Sequence, residues 1–159
     1  MKLYLVISDT HGSIYTARTV IEKYGQIDGL IHLGDHYKDA VILKETQFKD
    51  LDMYMVPGNC DFVADVPSEI VLEAEDKRIL LTHGHRFNVK NGLDRLEKYA
   101  LRQNTDAVLF GHTHAPLQEI RSDIVFLNPG SLGYPRGSSP TYGLLEISKN
   151  AIETRILNI

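Results

Sequence analysis

The 159-residue chain is 43% hydrophobic and 24% charged with a formal net charge of −4, the balance of a soluble globular protein long enough to bury a core. Its Lys and Arg residues are scattered without a basic run, which argues against holding nucleic acid through a basic surface, and no apolar stretch approaches the roughly 20 residues that cross a bilayer. A single cysteine, Cys60, rules out an internal disulfide; with Met1-Lys2-Leu3 leading straight into a strand instead of a signal peptide's apolar core, the expectation is a cytoplasmic protein.

In chain order, Leu3–Ser8 is a continuous apolar run suited to a buried parallel strand. Ser13 is placed to cap a helix reaching about Tyr24, with Ile14, Ala17, Ile21 and Tyr24 on one face and Gly25 as its stop. Leu30–Leu33 reads as the second strand, Asp39–Phe48 as the second helix, and Met53–Val56 as a third strand closed by Pro57-Gly58. Glu69–Ala74 and Arg78–Thr82 flank a charged turn at Glu75-Asp76-Lys77 and predict a hairpin. A helix follows from about Gly92 to Gln103, with Leu93, Leu96, Tyr99 and Ala100 on its buried side, then a buried strand at Ala107–Phe110. Short strands at Gln118–Arg121, Ile124–Leu127, Tyr142–Ile147 and Ala151–Ile156 complete the pattern. No linker interrupts residues 1–159, which read as one α/β domain: two mixed sheets packed face to face, with helices outside. The irregular stretches are Asp61–Pro67 and Asn128–Pro140, and a loop of the latter's length in a compact domain is often functional.

Five of these strands end on residues that ligate metals: Asp9-Thr10-His11, Gly34-Asp35, Gly58-Asn59, Thr82-His83 and Gly111-His112-Thr113-His114. Ligands of open α/β sheets bind beyond the carboxyl ends of the strands, so Asp9, His11, Asp35, Asn59, His83, His112 and His114 are expected in one cleft. Asp9 and His11 are two apart, as are His112 and His114, which in extended backbone directs each pair to one side. The donors are nitrogen and oxygen with no thiolate requirement, which favours divalent transition metals such as manganese, iron, cobalt, nickel or zinc over calcium or magnesium; manganese is the first expectation among them. Seven candidates exceed one four-coordinate ion and suit two ions sharing Asp35, the carboxylate able to bridge. Two cations about 3.5–4 Å apart hold phosphate oxygens and turn a bridging water into an attacking hydroxide, so no protein nucleophile is required.

The series Asp9-x-His11, Gly34-Asp35, Gly58-Asn59-x-Asp61, Thr82-His83-Gly84-His85 and Gly111-His112-x-His114, with Asn128-Pro129-Gly130-Ser131, resembles the calcineurin-like metallophosphoesterases, and in its short length their small bacterial and archaeal phosphodiesterase branch. The resemblance implies a two-sheet sandwich flanked by helices. It also implies a first ion on Asp9, His11 and His114, a second on Asn59, His83 and His112, a bridge at Asp35, and Asp61 orienting Asn59 or another ligand. Many relatives carry His after Gly-Asn; here that position is Cys60, whose thiol is a weak hydrogen bonder, which favours substrates with good leaving groups, or protonation by a metal-bound water or by another histidine, His36 or His85. Asp35, Asn59, Cys60 and His85 are the candidates for direct catalytic roles. His32 reads as a core histidine, and Cys60 as either a buried filler or a functional thiol.

The leading expectation is therefore a dinuclear-metal hydrolase of small phosphodiesters. Its rivals are a phosphomonoesterase or nucleotidase using the same site, and a metal-binding scaffold for other proteins with little catalysis, as in a trafficking-complex subunit that the family resembles. Homo-oligomerisation through an exposed sheet edge is a further expectation.

Overall fold

A computed structural model describes residues 1–159. The elements are β1 (Lys2–Ile7), α1 (Ile14–Lys23), β2 (Gly29–His32), α2 (Lys38–Thr46), β3 (Met53–Met55), β4 (Glu69–Ala74), β5 (Lys77–Thr82), α3 (Asp94–Arg102), β6 (Ala107–Leu109), β7 (Leu117–Arg121), β8 (Ile124–Asn128), β9 (Thr141–Ile147) and β10 (Ile152–Asn158). They form two five-stranded mixed sheets, ordered β10-β9-β1-β2-β3 and β4-β5-β6-β8-β7. Parallel pairing joins β1, β2 and β3 in one sheet and β5, β6 and β8 in the other; the remaining strands pair antiparallel at the flanks.

Alternation along the central strands explains the layering. In β1, Tyr4 and Val6 face the opposing sheet while Leu5 and Ile7 face α1 and α2. In β6, Ala107 and Leu109 enter the core between the sheets, and Val108 packs under α3 with Leu96 and Ala100. Both faces of these strands are covered, hence the unbroken apolar runs. The result is the expected sandwich with helices outside, and no helix is long and apolar enough to cross a membrane.

Both tight hairpins turn on two residues with left-handed backbone, Glu75-Asp76 (φ 51° and 62°) and Ser122-Asp123 (φ 47° and 62°), the twist that matches the flanking strands. Several local expectations are corrected. Ser13 stands at the N-terminus of α1 but its side chain makes no capping bond, and the chain leaves this helix through an extended Tyr24. The third helix begins at Asp94, because the preceding residues form two short 3-10 turns, His85–Phe87 and Val89–Asn91.

Candidate metal centre

All five ligand-bearing loops leave the carboxyl ends of β1, β2, β3, β5 and β6 at one rim of the sandwich. The ligand spacing works there for a different reason from the one the sequence suggested. Asp9 (φ 52°), His11 (φ 45°), Asp35 (φ 56°), His112 (φ 69°) and His114 (φ 60°) all adopt left-handed backbone, not extended. Asp and His tolerate that region better than most residues, but each such placement costs about 1–2 kcal/mol and must be held by its surroundings.

The hold is visible bond by bond. Asp9 N–H donates to Gly34 O (2.9 Å), and Asp9 O accepts from Ser131 Oγ (2.8 Å) and Gly133 N (3.1 Å). Asp9 Oδ2 accepts from Ser8 Oγ and from His112 N (3.2 Å). Asn128 Nδ2 donates to Gly111 O (2.9 Å) and Thr113 Oγ1 (3.0 Å), bracing the turn that carries both histidines. The Asn128–Pro140 loop thus lines the site with its first half, and Tyr134 lays its ring 5.0 Å from that of His11. Gly34 (φ 96°) is required here, since a Cβ would lie 2.6 Å from Gly58 N and 2.8 Å from His83 Nδ1.

Asp9, His11, Asp35 and His114 each offer a donor atom, and these four atoms lie within 4.8 Å of one another. His114 Nδ1–H donates to Tyr134 O (2.7 Å), leaving Nε2 free 3.0 Å from Asp9 Oδ1. Likewise His83 Nδ1–H donates to Leu33 O (2.6 Å), leaving its Nε2 free 3.2 Å from Asn59 Oδ1 and 3.5 Å from Asp35 Oδ1. Such bonds fix the tautomer that metal-binding histidines need. His112 stands next to His83, ring centroids 5.1 Å apart. All seven sequence-predicted donors therefore share one cleft.

These residues fit a metal. Asp9 Oδ1, His11 Nε2 and His85 Nδ1 are three of the five buried side-chain polar atoms without a hydrogen-bond partner, a concentration that a bound cation would relieve at the first two. Burial opposes ionisation of Asp9, yet His114, His83 and Ser8 outweigh it and hold the carboxyl below the usual range. His114 is correspondingly raised by Asp9. Burial lowers His11, and it pushes His112 down to about 4 with help from His83 and Lys90, so both present lone pairs at neutral pH.

The remaining candidates divide. His85 sits 5.3 Å from the His83 ring and 6.0 Å from that of His112, lowered by burial and by His83. His36 is exposed, 5.1 Å from the His11 ring, and its backbone N–H donates to Asp61 Oδ1. Asp61 Oδ2 accepts from Gly58 N (2.8 Å), so this carboxylate ties the Asp35 loop to the Asn59 loop through backbone amides and makes no hydrogen bond to the Asn59 side chain, one of the ligands it was expected to orient. Cys60 is exposed, which removes the buried-filler reading. Its backbone N–H donates to Asp35 Oδ1 (2.8 Å), while desolvation and the Asp35 carboxylate push its thiol up to about 11.

His32 is fully buried, as a core histidine should be, and burial lowers it to about 4. Its polar partners Thr10 and Asp39 were not legible as site residues: neither belongs to a ligand motif or a periodic face, and only the position of Thr10 between two donors signalled anything.

Comparison with known proteins agrees with this geometry. The calcineurin-like phosphoesterase superfamily domain matches residues 1–150. Phosphodiesterase YfcE of Escherichia coli (strain K12) is 34% identical over 170 residues, covering 92% of this chain and 88% of its own. A crystal structure from Streptococcus pneumoniae TIGR4, described as a predicted phosphoesterase, superimposes with a TM-score of 0.83 at 30% identity over 99% of this chain and 89% of that one. Vps29 of Entamoeba histolytica complexed with zinc shares the fold at 22% identity, with a TM-score of 0.74 over 98% of each chain.

Proposed function

The chain belongs to the calcineurin-like phosphoesterase superfamily and is a metal-dependent phosphoesterase, and from that premise we propose that it hydrolyses small phosphodiesters at a centre of two divalent transition-metal ions. The observation that carries the reading is the aim of the Asp35 carboxylate. Its Oδ2 lies 3.6 Å from His11 Nε2 and its Oδ1 3.5 Å from His83 Nε2, so the two oxygens serve two different donor groups. Asp9, His11 and His114 would hold one ion, and Asn59, His83 and His112 the other, with manganese the first choice among manganese, nickel, cobalt, iron and zinc.

Bound there, the ions would supply Lewis acidity at the phosphoryl oxygens and a water acidic enough to attack phosphorus in line. The chain's own residues orient these donors: Leu33 O and Tyr134 O fix His83 and His114, and Cys60 N–H fixes Asp35. His85 is the side chain in reach for handling a proton at the leaving oxygen. Because it is lowered and so largely neutral at pH 7, diesters with good leaving groups are favoured. A cytoplasmic location is part of the same proposal, supported by the single free cysteine.

The test is to strip the protein of metal, return Mn, Ni, Co, Zn or Mg, and compare bis-p-nitrophenyl phosphate with p-nitrophenyl phosphate. Metal-dependent turnover faster on the diester supports the proposal. Faster turnover of the monoester favours a phosphomonoesterase, and no turnover with two ions bound favours a protein-binding scaffold.

A further inference from the structure

Beneath the cleft lie three side chains that the proposed chemistry does not use, Thr10, His32 and Asp39, exposed by 0%, 0% and 6%. Their hydrogen bonds have a direction that can be read. Gly34 N–H donates to His32 Nδ1 (3.1 Å), so Nδ1 is an acceptor and the ring's proton sits on Nε2. His32 Nε2 lies 3.0 Å from Thr10 Oγ1 and must donate to it. The Thr10 hydroxyl then has one proton and two acceptors within reach, Asp39 Oδ2 at 2.6 Å and His36 O at 3.3 Å. The shorter, charge-assisted bond to Asp39 wins. Asp39 Oδ2 also accepts from Gly12 N (2.8 Å).

The chain of bonds thus runs Gly34, His32, Thr10, Asp39, Gly12. It starts one residue before Asp35, passes between Asp9 and His11, and closes one residue after His11. It stitches together two of the three loops whose ligand residues stand in left-handed backbone. Side-chain packing offers little substitute at the far end, where Gly12 has nothing within 4 Å of where a Cβ would stand.

We propose that His32, Thr10 and Asp39 are positioning residues that hold the β1–α1 and β2–α2 loops in register, so that Asp9, His11 and Asp35 meet on one ion. This rests on the reading of those three residues as metal ligands. Thr10 is the node, because its hydroxyl both accepts and donates. Thr10→Val removes that relay at nearly constant shape, and Thr10→Ser restores it.

Manganese is titrated calorimetrically into metal-free wild type, Thr10→Val and Thr10→Ser, each first shown to be folded by metal-free thermal melting. The expected result is a 10–100-fold weaker first manganese in Thr10→Val, the range found when groups supporting metal ligands are lost, with Thr10→Ser within about threefold of wild type by the same scale. If Thr10→Val does not fold, Asp39→Asn carries the same prediction at roughly tenfold, the lower end of that range. Wild-type-like binding by the variant tested, or Thr10→Ser as weak as Thr10→Val, overturns the inference alone. Failure of the wild type to bind manganese overturns it together with the metal-centre reading.

Discussion

The two groups of donors that meet at Asp35 are built differently. On one side Asp9, His11 and His114 stand on left-handed backbone, with their donor atoms and one from Asp35 drawn within 4.8 Å and two of those atoms buried without a partner. On the other, His112 shares the left-handed backbone (φ 69°), but His83 follows β5 with ordinary backbone, and Asn59 is exposed, its side-chain amide meeting only Cys60 Sγ at 3.6 Å and His83. The donor atoms of the first group are already gathered, whereas the second, although His83 is buried, includes one exposed member, Asn59. A preformed group loses less freedom on binding, so, if two ions bind as proposed, the difference argues that the ion on the first group would be the tighter.

Asp35→Asn touches both groups and should have the largest effect. Diester turnover is expected to fall by at least about 10³-fold, roughly 4 kcal/mol of transition-state stabilisation, with manganese stoichiometry in calorimetry dropping below two. Retained turnover would refute the shared carboxylate. The comparison itself is sharpened by His11→Ala against Asn59→Ala. Loss of His11 should weaken the tighter manganese by more than the ~100-fold seen for supporting groups, and loss of Asn59 only the weaker one. Equal losses would mean that the two halves are not different in kind.

Next comes pH. His32 and His112 each sit at about 4 in the folded protein against 6.5 for a free imidazole, so between those values the unfolded chain binds more protons. Metal-free stability should therefore fall as pH drops from 6.5 towards 4, with His32 alone contributing at most about 3 kcal/mol, as read by denaturant melts. His114 has the opposite sign: raised by Asp9, it favours the folded state below 6.5 and gives that up as pH rises through its own value. A flat profile from 4 to 6.5 would show that His32 is not held neutral. The smallest effect is expected at Cys60→Ser, under about twofold in turnover or 0.4 kcal/mol, because the backbone N–H that serves Asp35 survives the change. A large loss there would assign the thiol a role of its own.

Much of this was legible in the chain. The unbroken apolar runs at β1, β2 and β6 announced strands covered on both faces, and the residues that follow them announced the cleft. What the pattern misjudged was the backbone at the ligands. Period-two reasoning brought Asp9 and His11 together on an extended segment, whereas a left-handed turn does it, held by Ser131 and Gly133 from more than 120 residues away. Contacts of that span have no local signature. For the same reason Thr10, His32 and Asp39 stayed silent: their meaning lies in which loop each one reaches. The ends of α1 fell where expected although Ser13 makes no capping bond, whereas the start of α3 was set too early because the 3-10 turns before it carry no separate signal.

The rim location has one more consequence. Asp9, His11, Asp35 and Asn59 descend from the sheet built on β1, while His83, His112 and His114 descend from the sheet built on β5 and β6. The core between the sheets is apolar, with Tyr4, Val6, Leu81 and Leu109 among its members, and such packing attracts without prescribing a direction. The donor cluster adds directional contacts between the two sheets, among them His83 to Leu33 O and His112 N to Asp9 Oδ2, so a loaded ion would act as a clasp across the sandwich. Occupancy at 100 times the dissociation constant would add about 2.7 kcal/mol against unfolding, and it would do so by resisting the slide of one sheet over the other.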